Sequence, residues 1–155
     1  MYRIISCAAI LLAFLAGCSA FVSAPKNVQT GQKVVCILYN ETAFKNRVVA
    51  LVQEKLSSEG YAVVTDRVKR AKYYPADRYG AVVYMAEYLA WHVPFHQKRY
   101  FSANGKAGNI VLLTTSGDPD MRIAEPFDAI TGASEEQRIE PVSSELMTRL
   151  DRILE

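Results

Sequence analysis

Cysteine is scarce in this chain: three stand in 155 residues, at positions 7, 18 and 36, too few and too scattered for a disulfide framework. Any folded body must therefore rest on an apolar core, and with 50% apolar residues there is material for one. A dominant charge is missing as well. Eighteen Lys and Arg stand against sixteen Asp and Glu, a formal net charge of +2 that is too small to imply a nucleic-acid partner. No basic block along the sequence marks a lipid-headgroup patch. Long apolar runs are absent too. Crossing a bilayer core takes about 20 apolar residues, and the run from Ile4 to Leu15, broken by Ser6 and Cys7, is nearer a dozen. Finally, no glycine occurs from Gln32 to Glu59, so that stretch has no position where a bulky group approaches the backbone without a Cβ in the way.

What is present at the amino end is a processing segment. Met1-Tyr2-Arg3 gives a positive start, Ile4 to Leu15 an apolar stretch, and Ala16-Gly17 a pair of small residues before Cys18. Leu15-Ala16-Gly17-Cys18 resembles the lipobox of bacterial lipoproteins, in which small side chains precede the scissile bond and the thiol carries the diacylglycerol. The resemblance implies cleavage before Cys18, lipidation of Cys18 and a place in the cell envelope, anchored to a membrane outside the cytoplasm. Acyl chains at about 0.8 kcal/mol per buried CH₂ make two or three of them a stable anchor. The expected organisation is residues 1–17 as signal peptide, 18–32 as lipidated tether and 33–155 as one domain.

Within that domain apolar runs alternate with helical periodicity. Lys33 to Tyr39 is continuously apolar and β-branched, the pattern of a strand covered on both faces, and is expected to be the central one. From Thr42 to Glu59, Phe44, Val48, Leu51, Val52 and Leu56 recur at helical spacing, with Lys45, Arg47, Gln53 and Glu54 placed outside and Gly60 as the stop. Tyr61 to Thr65, Gly80 to Ala86 and Asn109 to Thr115 predict three more strands. Asp66 to Arg78, polar and interrupted by Pro75, allows at most a short helix, whereas Pro94 to Phe101 predicts a basic amphipathic one. After a loop-like segment, Phe127 to Thr131 is a short fifth run. Pro141 then suits the first turn of a helix whose apolar face is Val142, Leu146, Leu150, Ile153 and Leu154. Strands alternating with helices predict a parallel α/β sheet with helices on both faces, and a site beyond the carboxyl ends of the strands.

Four pieces, in order, resemble a short flavodoxin-like protein over nearly all of the domain. Tyr39-Asn40-Glu41-Thr42 is similar to the end of that family's first strand and its phosphate loop. Val82-Val83-Tyr84 through Tyr88, Trp91 and Pro94 resembles its third strand and aromatic flavin-stacking loop. Leu113-Thr114-Thr115-Ser116-Gly117 resembles its fourth strand and loop, and Asp128 to Ser134 its fifth-strand ending. The resemblance implies a five-stranded parallel sheet of order 2-1-3-4-5. It also implies FMN as cofactor, electron transfer as activity, and Asn40, Thr42, Tyr88, Trp91, Thr115, Ser116, Gly117 and Ser134 as cofactor-binding positions.

The chain departs from the pattern in the phosphate loop, where the family's Thr-Gly-Asn has no counterpart and only Asn40, Thr42 and Asn46 offer polar groups. The alternative to an electron carrier is a cofactor-free module of the same fold that binds a protein partner or a small ligand. Asp128-Ala129-Ile130-Thr131-Gly132-Ala133-Ser134 also resembles the acceptor motif of exported proteins that receive FMN covalently, with Ser134 as acceptor; read as backbone alone, it is a strand end with Gly132 at a permissive turn. Cys36 lies inside an apolar run and reads as a small buried hydrophobe. His92 and His96 lack a third ligand for a metal, and Asp118, Asp120, Glu125 and Asp128 read as solvated acids.

Overall fold

A computed structural model describes residues 33–87, 94–116 and 128–155. Five strands, β1 (Val34–Tyr39), β2 (Ala62–Asp66), β3 (Ala81–Glu87), β4 (Ile110–Ser116) and β5 (Asp128–Ala133), form one sheet of order β2-β1-β3-β4-β5. Every neighbouring pair is parallel. Parallel strands need a crossover between them: α1 (Ala43–Ser58) lies between β1 and β2 and α2 (Phe95–Asn104) between β3 and β4, while α3 (Ile139–Leu154) follows β5. Between β2 and β3 the crossover is two short 3-10 turns, Val68–Tyr73 and Ala76–Arg78, because Pro75 between them cannot continue a helix.

The period-2 alternation of each strand sorts its side chains onto two faces. Val35, Ile37, Val83, Met85, Val111, Leu113 and Ile130 face α1 and α3, where Val48, Val52, Leu56, Leu146 and Leu150 close one core. Cys36, Leu38, Val82, Tyr84, Ile110 and Leu112 face the other way, against Val68 and Ala71 of the first 3-10 turn and Tyr100 and Phe101 of α2. Val35, Ile37, Val83 and Leu112 are fully buried in adjacent parallel strands, as their apolar runs predict. The middle of the sheet, however, is β3. Strand β1, though buried on both faces, stands one place from the edge, a distinction an apolar run cannot express.

Gly60 ends α1 with φ +87, the left-handed region only glycine adopts without cost, and the Tyr61 N–H donates back to the Leu56 carbonyl. Pro141 falls in the first turn of α3, where its missing N–H has no helical partner to lose. Cys36 is buried without a disulfide, and burial first, then the Asp66 carboxylate, pushes its thiol pKa up. Both cores and every described strand lie between Val34 and Leu154, so a chain beginning at residue 19 keeps every described contact. Among the described residues no helix is long and apolar enough to cross a membrane.

Candidate functional site

In an open parallel sheet a ligand site forms beyond the carboxyl ends of the strands, where neighbouring crossovers leave in opposite directions. Here β1 sends its chain up into α1, and β3 beside it leads towards α2 on the other face. The residues at this edge are Tyr39 to Thr42, Glu87, Thr115, Ser116 and the segment following β5.

The link from β1 to α1 is three residues long. Thr42 caps the helix: its Oγ1 accepts from the Lys45 backbone N–H at 3.2 Å, and its carbonyl accepts from Asn46. That bond uses one acceptor lone pair of the hydroxyl and leaves its O–H as a donor. Asn40 is half-buried and Glu41 is exposed, putting a carboxylate beside the positive end of the α1 dipole.

Lys45 is the main correction to the sequence reading, which set it outside. Its side chain has 0% exposure, and its Nζ donates to Glu87 Oε1 at 2.9 Å across the top of β3. Desolvation lowers the Lys45 pKa, and the Glu87 carboxylate works against that by hydrogen bond and charge. The signal was in the spacing: Lys45 stands three, four, seven and eleven residues before Val48, Val49, Val52 and Leu56, on the apolar stripe itself. Only Glu87, far along the sequence, makes that position tolerable.

Thr115 pairs with Glu87 in the β3–β4 register; it is buried, and its Oγ1 donates to the Ala86 carbonyl at 3.4 Å. Ser116 ends β4 beside Ala133. Gly132 lies within β5, not in a turn, and has no positive φ; its role is room, since a Cβ there would meet the Arg138 guanidinium at 3.1 Å. Ser134 is exposed just past β5. Strands stand about 4.8 Å apart, so β5 lies roughly 14 Å from β1 and Ser134 belongs to a different end of this edge from Thr42. The structure thus brings Asn40 and Thr42 to one end, Thr115 and Ser116 to the middle and Ser134 to the other. Tyr88, Trp91 and Gly117 lie outside the described residues, as do Cys18, His92, Asp118, Asp120 and Glu125. Among the described residues no group of three or more His, Cys, Asp or Glu is placed to hold a metal ion.

The fold and the position of this edge define a flavodoxin-like α/β sandwich. No protein-family model matches the chain, and no curated protein matches it. Solved structures do. A flavodoxin from the domain Archaea aligns with TM-score 0.55 at 6% identity, over 80% of this chain and 100% of that one. The two-electron reduced flavodoxin of Megasphaera elsdenii aligns at 0.57 and 12%, over 76% and 98%, and oxidised flavodoxin 2 of Bacillus cereus at 0.52 and 11%, over 77% and 99%. The likeness is one of fold.

The residues present can be tested against the FMN that this fold implies. A phosphate dianion needs a loop of free backbone N–H groups around it. The β1–α1 link is three residues, has no glycine and carries the exposed Glu41 carboxylate. The nearby ammonium, Lys45, is buried and paired. An FMN phosphate does not fit this end of the sheet in the usual way.

Proposed function

We propose that this chain is a lipid-anchored module of the cell envelope that keeps the flavodoxin-like fold without its phosphate cradle, and that uses the carboxyl edge of the sheet to bind a protein partner or a small ligand. The observation that carries this reading is the buried Lys45–Glu87 pair beside the short, glycine-free link. At this carboxyl edge the nearby ammonium is held in a fixed internal salt bridge and is not offered to a ligand. The anchor part of the proposal rests on Leu15-Ala16-Gly17-Cys18. The test is the visible absorption spectrum of protein purified from a host that makes FMN. A colourless product, with phosphate content below one per chain, supports the reading; a yellow protein holding one FMN per chain overturns it.

The second reading is an FMN-binding electron carrier, favoured by alignments that cover almost the whole of several flavodoxins. Covalent attachment at Ser134 would dispense with the cradle, and the exposure of Ser134 leaves it accessible to a transferase. In this reading the flavin supplies the redox chemistry, and the chain's own residues position it. Mass spectrometry of the Ser134 peptide, from a host with such a transferase, decides it by the presence or absence of an FMN-phosphoryl mass.

A further inference from the structure

Basic residues are concentrated in two segments that the fold brings onto one face. Residues 67–80, the 3-10 crossover, carry Arg67, Lys69, Arg70, Lys72 and Arg78; residues 94–109, which include α2, carry Lys98, Arg99 and Lys106. Against these eight cations the two segments hold one acid, Asp77. The rest of the chain has ten basic and fifteen acidic residues, so the small net charge of +2 hides a strong separation of charge. The two segments are brought together by packing on the same face of the sheet. Tyr100 donates to the Tyr74 carbonyl at 3.0 Å, and the Ala76 N–H donates to Asn104 Oδ1 at 2.8 Å.

Between them runs an open groove of about 400 Å³, lined by Lys69, Lys72, His96 and Arg99 together with Val68, Tyr100 and Phe95, and with no acid in its lining. Burial first, and the Lys69 ammonium second, lower the His96 pKa. Two large hydrophobic side chains are exposed among the described residues, and both are on this face: Phe95 at 79% and Tyr73 at 60%. Lys72 and Arg70 stand 4.7 and 6.0 Å from the Tyr73 ring centre. Cations ringing exposed aromatics match an interface where phosphates lie above acyl chains: the ammonium and guanidinium groups meet the phosphates, and the rings enter the boundary below.

We propose that this groove and its rim form a docking face for an anionic phospholipid surface, which lays the domain flat against the membrane. Its setting rests on the lipid-anchor reading. Only fifteen residues, 18–32, separate the proposed anchor from the domain, so an anchored domain meets its own bilayer at high effective concentration and a weak face is enough.

The test leaves the anchor out, so that the two readings fail separately. A chain beginning at residue 19 is sedimented with vesicles of phosphatidylcholine alone or mixed with phosphatidylglycerol. Binding to the mixed vesicles, lost in high salt and absent with phosphatidylcholine, is the expected result. Lys69→Glu/Lys72→Glu should weaken it about twenty-five-fold or more, at about fivefold or more per reversed charge. Lys55→Glu/Arg152→Glu makes the same change of net charge on exposed helix positions away from the groove, and should leave binding within about twofold. Phe95→Ser/Tyr73→Ser should weaken it without changing its salt dependence. Equal binding by the two charge-reversed variants overturns the proposal, as does binding indifferent to phosphatidylglycerol. Failure on both vesicles with retention on polyglutamate, sensitive to Lys69 and Lys72, overturns it in favour of an acidic protein partner.

Discussion

Lys45 and Glu87 offer an unequal pair, and the inequality is measurable. Lys45 is wholly buried whereas the Glu87 side chain is 31% exposed. Removing one partner of a buried pair costs about 3–5 kcal/mol, mostly because the other charge is stranded away from water. Lys45→Met strands a carboxylate that reaches solvent, so its cost should fall to about 1–2 kcal/mol. Glu87→Leu strands an ammonium with no exposure, and should cost the full 3–5 kcal/mol. The double variant replaces the pair by apolar side chains and should lie within about 1 kcal/mol of the parent. Urea unfolding followed by circular dichroism measures all four corners of the cycle. The pH dependence carries a sign. A lysine whose folded pKa lies below its unfolded value binds fewer protons folded than unfolded in the window between the two, so stability rises with pH there. Loss of Glu87 deepens the depression. Glu87→Leu should therefore recover stability as pH rises from neutral towards about 10, and Lys45→Met should show no such recovery. A Lys45→Met cost equal to or above that of Glu87→Leu would refute the reasoning.

Tyr84 is fully buried between Tyr100 and Phe101, and its hydroxyl has no hydrogen-bond partner among the described residues, so Tyr84→Phe should stabilise by up to about 1 kcal/mol in urea unfolding. Burial raises the pKa values of Tyr84 and Tyr100 above the usual tyrosine value, so the folded state keeps protons the unfolded state releases; stability should fall above pH about 10, less steeply in Tyr84→Phe. Gly60→Ala should cost about 1 kcal/mol or more, since the site has open space but a left-handed backbone. Cys18→Ser should abolish labelling by radioactive fatty acid and release the protein from membranes washed in high salt, and retention of the unlabelled variant in high salt would contradict the anchor.

Most of the sheet was legible because buried parallel strands write themselves as continuous apolar runs, and Val34 to Tyr39, Ala81 to Glu87 and Ile110 to Ser116 do so. Strand β5 contains Gly132, and the run as far as Thr131 marked its middle without its end at Ala133. What stayed hidden depends on contacts between distant residues. A lysine reads as solvent-facing until Glu87 is placed above it, and the helical stripe that includes Lys45 was then visible only in retrospect. The basic face joins two segments separated by β3: Arg67 to Lys72 holds four cations in six residues, and only packing sets Lys98 and Arg99 beside them. Gly132 looked like a turn glycine, and its purpose became clear only with the Arg138 guanidinium lying against it.

The central claim is that the fold persists without a phosphate cradle, and comparing FMN with riboflavin tests it directly, because the two differ by the phosphate alone. Titration of the chain from residue 19 into each flavin, followed by quenching of flavin fluorescence, should give either no binding or equal weak affinities for both. Affinity for FMN tenfold or more above that for riboflavin would place a phosphate on this protein and contradict the account.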